Sequence, residues 1–147
     1  MMAERRDTIP PKSKAMLICD QVIVERDTNK VSVIGSFNSV FVPRTAPEIR
    51  PLRVFLQMTE GNASCHVTME IHDLRLDRVV SELDPTPIQF DDRLEVVNLM
   101  GRWPVAIFDH DGAYDIVAFA DSQEIDRVQL KINFEEEEED NGEETSE

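Results

Sequence analysis

Glycine is scarce in this sequence, with five in 147 residues, and tyrosine and tryptophan occur once each. So few glycines leave little backbone able to cradle a phosphate. None of them forms a phosphate-binding loop, a dinucleotide-binding turn or a GxSxG elbow, and HExxH is missing as well. Bases are outnumbered two to one: 15 Lys and Arg face 30 Asp and Glu, for a net charge of −15. A surface of that sign repels phosphate backbones and anionic lipid, so neither nucleic acid nor membrane is an expected partner. Long apolar runs are also missing, so neither a signal peptide nor a membrane span is expected, and the expected location is cytoplasmic. Cysteine occurs twice, as Cys19 and Cys65. That usage suits a reducing compartment, where such a pair acts as two small buried apolar groups.

What is present has the length and hydrophobic content of one globular domain. The charge is uneven, because nine of the acids and no base lie in residues 135–147, leaving −6 for residues 1–134. Three segments follow. Residues 1–13 are polar and broken by Pro10 and Pro11, and read as a flexible N-terminal arm. Residues 14–134 carry the apolar patterning of a β-sandwich domain. Residues 135–147 cannot bury anything and read as a disordered acidic tail, a solubiliser or a contact for a basic surface.

Within the middle segment, residues 15–25 and 31–42 predict a hairpin around the polar stretch 26–30. Leu52, Val54, Leu56 and Met58 alternate with Arg53, Gln57 and Thr59, Phe55 being the exception. Cys65, Val67, Met69 and Ile71 alternate with His66, Thr68, Glu70 and His72. A period of two over eight residues is a strand with one buried face. Residues 78–83 predict a short strand, 94–108 two strands or one kinked at Gly101 and Pro104, and 114–121 with 128–134 a closing hairpin. The fold class is all-β: a two-sheet antiparallel sandwich, immunoglobulin-like.

The stretch Asp109-His110-Asp111-Gly112-Ala113-Tyr114 carries the most information. A glycine two residues before a strand-opening tyrosine resembles the tyrosine corner of immunoglobulin-like sandwiches, where the phenol bonds back to upstream backbone. The same loop admits a calcium reading, with Asp109 and Asp111 as ligands and Asp91 and Asp92 from another loop completing the shell. Against it, Asp-Gly is an ordinary turn signal. His66, Glu70 and His72 share a strand face, but His66 and His72 lie about 20 Å apart at ~3.3 Å per residue and cannot share an ion. Cys65 and His66 are adjacent and point to opposite faces. Trp103 before Pro104 reads as a core or edge residue. No catalytic, cofactor or metal residue is assigned.

The strand Met16-Leu17-Ile18-Cys19-Asp20-Gln21-Val22-Ile23-Val24, followed by Lys30-Val31-Ser32-Val33-Ile34-Gly35-Ser36-Phe37, resembles the opening of an uncharacterised bacterial family of small cytoplasmic β-sandwich proteins. Gly112-Ala113-Tyr114 is similar too, and the resemblance spans roughly residues 15–134. It implies a β-sandwich of unknown function and carries over no catalytic residue. The polar turn near Asp121 departs from it, since glycine is usual there. The expected function is a non-enzymatic binding or accessory module that presents loops or a sheet edge to a protein partner. The alternative is a calcium-dependent module with its ion at the Asp109 and Asp111 loop.

Overall fold

A computed structural model describes residues 9–136. Thirteen strands make up the regular structure: β1 (Lys12–Cys19), β2 (Gln21–Val24), β3 (Val31–Ile34), β4 (Ser39–Pro43), β5 (Glu48–Ile49), β6 (Leu52–Thr59), β7 (Ser64–Asp73), β8 (Arg78–Glu82), β9 (Thr86–Gln89), β10 (Val96–Trp103), β11 (Ala106–Ile107), β12 (Gly112–Ala120) and β13 (Gln123–Glu135). Among the described residues no helix is long and apolar enough to cross a membrane.

Alternation builds the sandwich. On β6, Leu52, Val54, Leu56 and Met58 are fully buried, and the β7 set from Cys65 to Ile71 faces them across the core. Tyr114, Ile116, Ala118 and Ala120 of β12 and Leu130 and Ile132 of β13 complete that core. One sheet runs β1-β6-β10 and the other β4-β13-β12-β7-β8, with β9 pairing the first half of β7. In immunoglobulin lettering these are A-B-E and a G-F-C sheet extended beyond C, with β4 beside G. All ladders are antiparallel except β4 against β13, which is parallel. The strand that pairs with E in constant-type domains has no counterpart among the described residues.

The arm and tail boundaries fall slightly inside these strands. Strand β1 begins two residues before 14, β13 ends on Glu135, and the Ile9 N–H bonds Asn62. Residues 1–8 and 137–147 lie outside the described residues.

The expected hairpin over residues 15–42 is realised only in its tip. Residues 21–24 pair with 31–34. At Asp20 and Gly35 the two arms part, β1 going to β6 and β4 to β13. Gly35 has φ 71, and a Cβ there would lie against the Asp20 side chain. The reason is burial: Ile18 and Val42 reach the core only if the arms separate. The tip then lies on the outer face of β6, where Val22, Val24 and Val31 border Phe55. That cover explains why Phe55 breaks the alternation yet is buried.

The closing hairpin turns on Asp121 and Ser122, with φ 48 and 74. A two-residue type I′ turn requires positive φ at both positions and favours glycine at the second. Asp121 is already committed, since its carboxylate accepts the His66 N–H at 2.9 Å. Relieving left-handed strain at Ser122 outweighs glycine's extra chain entropy, so Ser122→Gly is expected to stabilise by about 0.5 kcal/mol. Urea titration checks this, and a loss of stability would contradict it.

Candidate functional site

Three features gather the chemistry-bearing side chains: the corner before β12, the outer face of the larger sheet, and the open side next to β10. At the corner, Gly112 takes φ 127 and starts β12. Two residues on, Tyr114 is fully buried and its hydroxyl donates to the His110 carbonyl at 2.7 Å, as the corner reading expects. Phe108 meets the tyrosine ring edge-on at 4.9 Å, and the His110 ring stacks on it at 5.3 Å.

His110 is bonded through both ring nitrogens, Nδ1 to the Asp111 carbonyl at 2.6 Å and Nε2 to Asp73 Oδ2 at 2.8 Å. A carbonyl only accepts, and so does an ionised carboxylate, so the two bonds form together when the ring is protonated and both nitrogens donate. The bond to Asp111, then the bond to Asp73, raise its pKa against an opposing effect of burial. Burial pushes the Asp73 carboxyl up, but the Leu76 N–H, the His110 ring and the Arg75 N–H together hold it below its ordinary range. Asp73 thereby fastens the turn after β7 to the loop before β12. Arg78 adds a second clamp, donating to Asp109 Oδ2 at 2.7 Å.

This geometry bears directly on the calcium reading. Asp109 already holds a guanidinium. Asp91 and Asp92 follow β9, which pairs with the first residues of β7, whereas the 109–111 loop closes on Asp73, the last. Ten strand residues span about 30 Å, so the two loops sit at opposite ends of the sandwich and cannot share an ion. Among the described residues no group of three or more His, Cys, Asp or Glu is placed to hold a metal.

The larger sheet's outer face is polar but only partly solvated. Arg127 forks onto Glu124 at 2.9 Å through two nitrogens and onto Asp115 at 2.7 Å. These bonds, that to Glu124 first, raise the guanidinium pKa and keep it charged. The fork lies in register over Val117, which is fully buried on this outward side. His72 bonds Glu70 at 2.8 Å, while His66 is exposed with Asp121 3.9 Å away. Beside them runs a groove of about 360 Å³ lined by Glu70, Glu82, Asp84, Phe119 and Thr68 among others.

Both cysteines are free and buried, and burial raises both thiols. Trp103 is a core residue whose Nε1 donates to Ser81 Oγ at 3.0 Å.

The open side lies along β10. That strand pairs only with β6, and nothing among the described residues pairs with its other edge. Inward of this edge is a slot of about 350 Å³ between Leu99 and Gly101 on one sheet and Val67, Met69 and Leu83 on the other. Outward is a hollow of about 100 Å³ bordered by the β2–β3 tip, Phe55 and Met100.

Fold and corner together define an immunoglobulin-like sandwich module. The chain belongs to the family of unknown function DUF6941, whose model matches residues 14–133. Among solved structures it is similar to a β-glucosidase from Listeria innocua in complex with isofagomine, at 7% identity and a TM-score of 0.44. That match covers 82% of this chain and 16% of the glucosidase, so the chain spans about a sixth of that enzyme's length. It is also similar to an immunoglobulin-like protein from Pseudomonas aeruginosa, at 8% identity and a TM-score of 0.37, covering 85% of this chain and 98% of that one. Both likenesses are distant and say nothing about chemistry. No curated protein matches the chain.

Proposed function

We propose that this domain is a non-enzymatic cytoplasmic binding module that presents a sheet edge to a protein partner. The outer edge of β10 carries the reading. Unpaired strand edges are normally blunted by lysine, proline or a bulge. The other edges of the two main sheets follow that rule. Strand β1 carries Lys12, Lys14 and a register shift, β4 ends in Pro43, and β8 carries Arg78, Glu82 and a shift against β7. Strand β10 is regular over eight residues, and its sole charge is Arg102. Val96 and Met100 on it are more than 40% exposed. An edge left regular and apolar is suited to pairing with another strand. The chemistry elsewhere is consistent with binding alone, because both nitrogens of His110 are engaged and both thiols are buried. Free buried cysteines fit a reducing compartment.

Asn98→Lys with Met100→Lys tests the reading, because both side chains face away from the core. The double variant is expected to melt like the wild type and to lose the partner captured from a native lysate. Undiminished capture would overturn the edge reading.

A further inference from the structure

We propose that the segment docking on β10 is an extended, basic stretch of a partner protein with apolar side chains at alternate positions. This rests on the edge-binding reading and names the chemistry of its ligand. A strand added to β10 projects its side chains alternately to the two faces of the small sheet. One set enters the slot between the sheets, lined by Val67, Met69, Leu83 and Leu99. Gly101 lets Met69 and Leu83 close in on β10 and floor the slot: a Cβ there would meet the Met69 sulfur at 2.6 Å. The other set lies toward the hollow at Phe55 and Met100, whose lining is almost entirely apolar. Apolar residues therefore suit the pairing positions on both sides.

Charge selects the rest. The slot shares Leu83 and Asp84 with the groove on the outer face, where Glu70, Glu82 and Asp84 stand around Phe119 and no base lines the wall. Glu70 is engaged by His72, but among the described residues neither Glu82 nor Asp84 has a cationic partner. A lysine or arginine beside the apolar positions would find those two carboxylates and the face of an aromatic ring. A second copy of this chain is the wrong occupant, because it would bring a net −15 against −15.

Fluorescence anisotropy with the full chain and dye-labelled octapeptides tests this. Three valines at alternate positions are flanked by lysine, by serine or by glutamate, and the lysine probe is also made with alternate amides N-methylated. The lysine probe is expected to bind about tenfold more tightly than the serine probe, the worth of two exposed ion pairs. The glutamate probe should bind least, N-methylation should abolish binding, and Glu82→Gln with Asp84→Asn should bring the lysine probe to the serine level. Equal binding of lysine and serine probes, both lost on N-methylation, would overturn the basic partner and leave the edge reading standing. A lysine preference that survives the double variant would overturn its assignment to Glu82 and Asp84. Binding indifferent to N-methylation would overturn strand docking, and no binding of either probe would overturn both readings.

Discussion

Tyr114→Ala is expected to cost about 3–5 kcal/mol, because it opens a cavity under a side chain with no solvent exposure. The ring is held on two sides, by Phe108 at 4.9 Å and by the His110 ring at 5.3 Å, and alanine loses both contacts. Tyr114→Phe keeps the ring and removes only the bond to the His110 carbonyl. Leaving that carbonyl without a donor costs about 1–3 kcal/mol. Urea unfolding of the two variants separates packing from hydrogen bonding. A Phe variant as damaged as the Ala variant would show that the hydroxyl, not the ring, dominates the corner.

The second large effect comes from Asp73, which is 1% exposed. Asp73→Ala is expected to cost about 3–5 kcal/mol, since it strips the counter-charge from a shielded cation. It also releases the Arg75 and Leu76 N–H groups that its Oδ1 accepts at 3.0 and 3.1 Å. The pair gives this corner a pH window. His110 has a raised folded pKa, so its stabilisation is complete below its ordinary 6.5 and is lost as pH rises through the raised value. Asp73 has a lowered folded pKa, so its stabilisation is complete above its ordinary 3.8 and is lost as pH falls through the lowered value. The corner is therefore tightest between those two ordinary values. Arg75 and Arg78 also face it, Arg75 opposing the charge on His110 and Arg78 lying 3.7 Å from Asp73. Thermal melts at pH 5.5 and pH 8 should show an acid-side advantage in the wild type that Asp73→Ala reduces, the bond to the Asp111 carbonyl remaining. An undiminished advantage in the variant would assign it to other groups.

Much of this arrangement was legible along the chain because it is local. Strand β6 runs over Leu52–Thr59, the residues whose alternation predicted it, and the turn before Tyr114 closes within four residues. The hairpin of residues 15–42 misled because strand patterning resumes on both sides of the breaks at Asp20 and Gly35, and the choice of partner sheet is what parts the arms there. The Asp73–His110 bond joins residues 37 apart. It left one trace in the sequence: Asp73 is the next inward position after Cys65, Val67, Met69 and Ile71, and an acid on a buried face needs a partner. The free edge of β10 left none. Residues 94–108 read as apolar strands, but which edge goes unpaired depends on sheet order, and sheet order is not written in any local period.

Amide hydrogen exchange on the full chain, alone and with the lysine-flanked peptide, tests the central claim most directly. In an antiparallel pair alternate N–H groups point away from the partner strand, so half the β10 amides face the open edge. The account predicts that these alternate amides within residues 96–103 gain protection on binding while those of the opposite edge, β4, do not. Protection gained at the 109–111 loop instead, with β10 unchanged, would contradict it.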